Sequence, residues 1–147
     1  MKSMLRMMVV IALFSVLIGC SPQDAPETST QNNEPALADA WHEETPMGVV
    51  TGTFGKEEQF NLHADNTVFS VVLATVCDRF EITCSVNPDW LLRRGITIQI
   101  QANNLEEAMN QLCTVTGLEN EQQSDSEWLL VLKGAEGKVS PPVRGID

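Results

Sequence analysis

Two stretches of this chain repeat apolar residues at spacings of three and four, and runs of strict alternation flank both. That combination limits the fold more narrowly than any other feature, because each period buries only one kind of element. The first stripe is Phe69, Val72, Leu73, Val76, Cys77 and Phe80; the second is Leu105, Ala108, Met109, Leu112 and Cys113. Each places its apolar side chains on one face of a helix. Asp65-Asn66-Thr67 supplies N-cap residue types ahead of the first helix. Asn104 caps the second, with Glu107 in the capping-box position, Glu106 favourable in the first turn and Gly117 as the stop.

The alternating runs read as strands. Val49 to Phe54 has strand-like content, followed by a turn at Gly55-Lys56-Glu57. Phe60 and Leu62 then alternate with polar residues from Gln59 to His63. Ile82 to Val86 alternates up to the turn signal Asn87-Pro88-Asp89, and alternation returns from Ile96 to Gln101. Leu118 to Gln122 and Trp128 to Leu132 form a closing hairpin. The order is ββαββαββ: a small two-layer α+β domain of two helices packed with short antiparallel strands.

Ahead of this region lies a different kind of sequence. Lys2 and Arg6 precede Met7 to Ile18, which is apolar except for Ser15, the n-region and h-region of a secretory signal peptide. A helix of that length spans roughly 18 Å, short of a bilayer's ~30 Å core. From Ser21 to Pro46 come six carboxylates, four prolines and no Lys or Arg. So little apolar content cannot offset the entropy of ordering, so this stretch reads as an extended acidic tether. Trp41 is its exception, and folds back on the domain or anchors a partner. The expected organisation is a signal peptide over 1–19, the tether over 20–46, the folded domain over 47–133 and a flexible tail over 134–147. Removing the leader leaves seven basic against 20 acidic residues, a balance of −13. Such a surface repels nucleic acid and anionic headgroups.

Leu17-Ile18-Gly19-Cys20 resembles the lipobox of bacterial lipoproteins. The resemblance implies that Cys20 becomes the lipidated first residue, tying the chain to a membrane through its acyl chains. Ser21 after it does not call for inner-membrane retention, which implies a periplasm-facing position on the outer membrane. The stretch from Phe60 to Leu132 resembles the secretin and TonB-dependent-receptor N-terminal (STN) module. The resemblance rests on Phe60-Asn61-Leu62, the first helix stripe, Val86-Asn87-Pro88-Asp89, Ile96 to Ile100, and above all Leu105 to Leu112 followed by Thr116-Gly117-Leu118. Glu81 stands where that family often has glycine, and the loop from Trp90 to Arg94 is bulkier than usual. The module implies protein docking within an outer-membrane secretion or pilus machine (a secretin or a type IV secretion core), or, as the alternative, signalling beside a TonB-dependent receptor and an anti-sigma partner.

No residue set suggests catalysis, a cofactor, a metal or a small-molecule substrate. His42-Glu43-Glu44 lacks a second cluster to complete a metal shell, and His63 with Asp65 borders a strand end where polar residues belong. Glu57-Glu58 and Glu106-Glu107 have surface and helix-start explanations. Three cysteines remain after Cys20, an odd count for an oxidising compartment. Cys77 and Cys113 fall on stripes of helices laid side by side and are the leading disulfide pair; Cys84, alternating inward, is the other partner open to Cys77, and three buried thiols acting as small hydrophobes are the alternative to any bridge. Trp90-Leu91-Leu92-Arg93-Arg94 concentrates residue types that anchor interfaces. It is either a partner-binding patch or a short helical turn whose Trp90 and Leu91 cap the core. An exposed strand edge is a further route to partners.

Overall fold

The structure, a computed structural model, describes residues 37–145. Its elements in order are β1 (Trp41–His42), β2 (Val50–Thr53), β3 (Phe60–Val68), α1 (Phe69–Phe80), β4 (Thr83–Asn87), a 3-10 turn (Asp89–Arg93), β5 (Gly95–Ala102), α2 (Leu105–Thr116), β6 (Glu119–Ser124) and β7 (Glu127–Val131). They form a small two-layer α+β domain with two sheets. The first has the order β1-β5-β3-β2, the second β4-β7-β6. Each helix touches a strand of both sheets, so a single apolar core lies where the helices meet them.

Both stripes turn inward as their spacing requires. Phe69, Val72, Leu73, Val76 and Cys77 are buried on α1, and Ala108, Met109 and Leu112 on α2. Burying side chains of this size is worth roughly 1.5–3 kcal/mol each. Asn104 Oδ1 accepts the Glu107 amide at 2.9 Å, the cap expected of α2. Glu107 Oε2 in turn accepts the amide of Asn103 at 2.8 Å, one residue earlier than in a standard capping box. At the other end Gly117 takes the left-handed conformation, φ 71°, and returns its amide to the Cys113 carbonyl.

The start of α1 differs from expectation. Asp65-Asn66-Thr67 does not cap the helix; it continues β3, which runs directly into α1. The register against β5 shifts between Ala64 and Thr67, a bulge with Asn66 at φ 41°. That bulge turns Thr67 inward, keeping the burial of Phe60, Leu62 and Ala64 in step with the core. Thr97 Oγ1 secures it, accepting the Asn66 amide and donating to Asp65 Oδ1, both at 3.0 Å. The helix has no side-chain cap; the Phe69 amide donates instead to the Arg94 carbonyl at 2.9 Å. Its C-terminus ends at left-handed Glu81, with the Ile82 amide reaching back to the Cys77 carbonyl, the bond that glycine usually accompanies.

Strand pairing brings a second correction. β4 lies parallel to β7, not antiparallel. Parallel neighbours need a long crossover, and the excursion through β5 and α2 provides it before the β6–β7 hairpin returns.

Both ends of the domain extend past the expected limits of 47 and 133. Upstream, Trp41 is buried, pairs with Ile96 across β1–β5, and donates its indole N–H to the Thr116 carbonyl at 2.8 Å. Leu37, Ala38 and Ala40 pack beside it, so the acidic stretch joins the fold at least ten residues before Gly48. Downstream, residues 138–143 run along the edge of β4 that β7 leaves open. Cys84 and Val143 exchange both backbone hydrogen bonds, at 3.0 and 2.7 Å, and Ser140 Oγ accepts the Val86 amide at 2.8 Å. Gly137 makes this approach possible, because a Cβ there would stand 2.2 Å from Pro88 Cβ. The segment is held because it satisfies backbone groups that an open strand edge exposes.

Candidate docking surface

The five residues of the Trp90 loop are divided by the fold. Asp89–Arg93 winds into a 3-10 turn that drives Leu91 fully into the core. Trp90 and Leu92 pack partly buried against that core. Arg94 places its guanidinium 5.3 Å from the centre of the Trp90 ring, and only Arg93 stands fully exposed. Leu91 is thus unavailable to a partner, and the core-capping alternative describes this segment.

The cysteines also separate. Cys77, Cys84 and Cys113 are all free thiols, so the Cys77–Cys113 bridge expected first is not present, nor its Cys77–Cys84 alternative. Contact joins Cys77 to Cys84. Their hydrogen bond, ahead of burial, holds the Cys84 thiol far above its ordinary range. Cys113, half-buried on α2, is pushed up to about 11 by burial alone. Thiols held protonated in this way are poor nucleophiles. Cys20 lies outside the described residues.

The remaining polar candidates serve the fold. His42 Nε2 lies 2.7 Å from Thr97 Oγ1, which already donates to Asp65 and accepts from Asn66, so the histidine acts as the donor. His63 is exposed on β3. Glu58 offers its carbonyl to Arg79, and Glu107 closes the start of α2. Lys56 pairs with Glu81 and holds that exposed carboxyl below its usual range, first through their hydrogen bond and then through charge. Among the described residues, no group of three or more His, Cys, Asp or Glu side chains is placed to hold a metal ion.

A surface feature stands out instead, beside β2. A groove of about 470 Å³ runs between β2 and α1, with Val49, Val50 and Phe54 on one wall and Val71, Ala74 and Asp78 on the other. Large hydrophobic side chains are exposed here: Val49 at 71%, Val71 at 39% and Phe54 at 36%. Met47, at 88%, adjoins Gly48, which also lines the groove. Of the exposed large hydrophobics in the described residues, only Val139 lies outside this corner. The groove has no acid–base pair; it can hold apolar side chains beside a sheet edge. Sequence reasoning missed it, though two signals could have found it. Val71 falls between the positions of the α1 stripe, and Val49-Val50 places consecutive apolar residues on opposite faces of one strand.

Comparison with family models, curated proteins and solved structures returned no match.

Proposed function

We propose that this chain is a non-enzymatic, lipid-anchored protein of the bacterial envelope whose folded domain docks other proteins within an outer-membrane secretion or pilus assembly. The exposed apolar corner carries the docking half of this reading. Contiguous apolar surface on a soluble domain costs solubility and marks interaction sites, whereas scattered single residues do not. The anchoring half rests on Leu17-Ile18-Gly19-Cys20, which places the acylated residue ahead of an acidic stretch. No helix among the described residues is long and apolar enough to cross a membrane, and the reading asks for none. The acidic balance keeps the domain off anionic headgroups while the acyl chains hold it near them. The outer membrane, facing the periplasm, is the proposed location.

Affinity purification from detergent-solubilised envelopes, comparing wild type with Cys20→Ala, tests both halves. Wild type is expected in the membrane fraction with a secretin, pilus or secretion-core protein, and Cys20→Ala in the soluble fraction. A TonB-dependent receptor or anti-sigma regulator as the sole partner replaces assembly docking with signalling. Membrane retention of Cys20→Ala refutes the lipid anchor.

A further inference from the structure

The two sheets have four edges, and three are guarded. β1 is only two residues long. The outer side of β4 is covered by residues 138–143. β6 carries Glu119 and Glu121 and a bulge between Gln122 and Ser124, both of which discourage further pairing. β2 has none of these defences. Val50-Thr51-Gly52-Thr53 contains no charge and no proline, and its far side has no strand partner among the described residues. A strand with one bare edge next to an apolar groove is the arrangement that accepts an added strand.

We propose that β2 receives an extended segment of a partner protein, pairing by backbone hydrogen bonds and laying alternate side chains into the groove against α1. The inference rests on the docking reading and names the partner's chemistry: small or β-branched apolar residues at alternate positions, at least one Lys or Arg, and no Asp, Glu or Pro.

The cation follows from charge. Val71, Thr75 and Asp78 lie at helical spacing along the α1 wall, and the Asp78 carboxylate is exposed. Two nearby cations are engaged elsewhere, and Arg144, whose neighbour Gly145 packs against Asp78, forms no ion pair with it. Arg79 donates to the Lys56 and Glu58 carbonyls and stacks 5.0 Å over Phe80, while Lys56 pairs with Glu81. The two ion pairs among the described residues leave Asp78 without a counterion. An acidic segment is repelled, and a proline in it removes a ladder donor. Residues 21–36, acidic and proline-bearing, have the wrong chemistry for this edge. A second copy is disfavoured too, because β2 brings no cation of its own and each copy adds a balance of −13 after the leader is removed.

The test is fluorescence anisotropy with the full chain in detergent micelles at physiological salt. The ligand is a fluorescein-labelled decapeptide alternating Val with Lys and Thr, and a counterpart carries Glu in place of Lys. The Lys peptide is expected to bind wild type and the Glu peptide not to. Val71→Gln, which removes the apolar contact at an exposed position without adding charge, should weaken binding at least about tenfold, a loss that anisotropy reads directly. Asp78→Lys should reverse the preference, while Val139→Glu on the other sheet changes nothing. Equal binding to wild type and Val71→Gln, or no binding of the Lys peptide, overturns the proposal. A dimer seen by sedimentation velocity and abolished by Val71→Gln overturns it in favour of self-association. The envelope purification separates this inference from its premise. Partners that remain on Val71→Gln keep docking and reject this groove, whereas peptide binding without any envelope partner rejects docking alone.

Discussion

Trp41 decides where the folded domain begins, and Trp41→Ala measures it. Three losses are combined in that substitution. The indole is 8% exposed, its N–H donates to the Thr116 carbonyl at 2.8 Å, and its ring meets Phe69 edge-on at 4.9 Å. Truncating a buried Trp costs about 3–5 kcal/mol, of which the hydrogen bond is roughly 1 and the aromatic pair about 0.5–1.5. The lower half of that range is expected, about 3 kcal/mol, because Trp41 lies at the sheet edge and water can refill the site. Trp41→Phe keeps the ring contact and loses the bond to Thr116, so it should cost about 1–2 kcal/mol. Urea unfolding of the protein reads both. With a slope of about 1.5 kcal/mol per molar, Trp41→Ala lowers the midpoint by roughly 2 M without changing the slope. If both variants unfold within about 0.5 kcal/mol of wild type, as surface substitutions do, Trp41 is free in solution and the domain begins near residue 47 after all.

Two further predictions concern the interior. Cys84 and Cys113 titrate above the ordinary thiol value of 9.0. Between that value and their folded values the native state holds protons that the unfolded chain has released, so stability falls as pH rises above about 9. The slope is about 1.4 kcal/mol per pH unit for Cys84 and less for half-buried Cys113, whose share levels off above about 11. The chain has no tyrosine to add to this titration. Denaturation at pH 8 and 10.5 checks it, and Cys84→Ala should flatten the fall; an unchanged slope refutes the assignment. The Trp90 loop supplies the other prediction. Leu91→Ala should cost about 2–4 kcal/mol and Arg93→Ala less than about 0.5, measured by thermal or urea unfolding. The reverse order would mean that the segment is a surface loop.

Much of the architecture was legible because it follows from periodicity. Phe69 to Phe80 and Leu105 to Thr116 are amphipathic at 3.6 residues per turn whatever surrounds them, and Asn104 and Gly117 carry their own local chemistry. Asp65-Asn66-Thr67 was misleading for the same local reason. Its side chains suit an N-cap, yet Thr97, from a strand some thirty residues later, binds Asp65 and Asn66 and keeps β3 extended. Composition misled at both ends of the domain. The flanks are polar and proline-bearing, but Trp41 and Ser140 are each captured by a backbone group distant in sequence.

The sequence by itself determined the two helices, most strands and the acidic balance, because each depends on residues close together along the chain or on a simple sum. Tertiary structure alone decided which side chains meet. It set Cys77 against Cys84 rather than in a bridge with Cys113, buried Leu91 out of a partner's reach, and ran β4 parallel to β7. Among the described residues it also left β2 as the one bare edge beside an apolar groove. Those outcomes depend on contacts between residues far apart in sequence, whose pairing is chosen by competition for the core rather than by local preference.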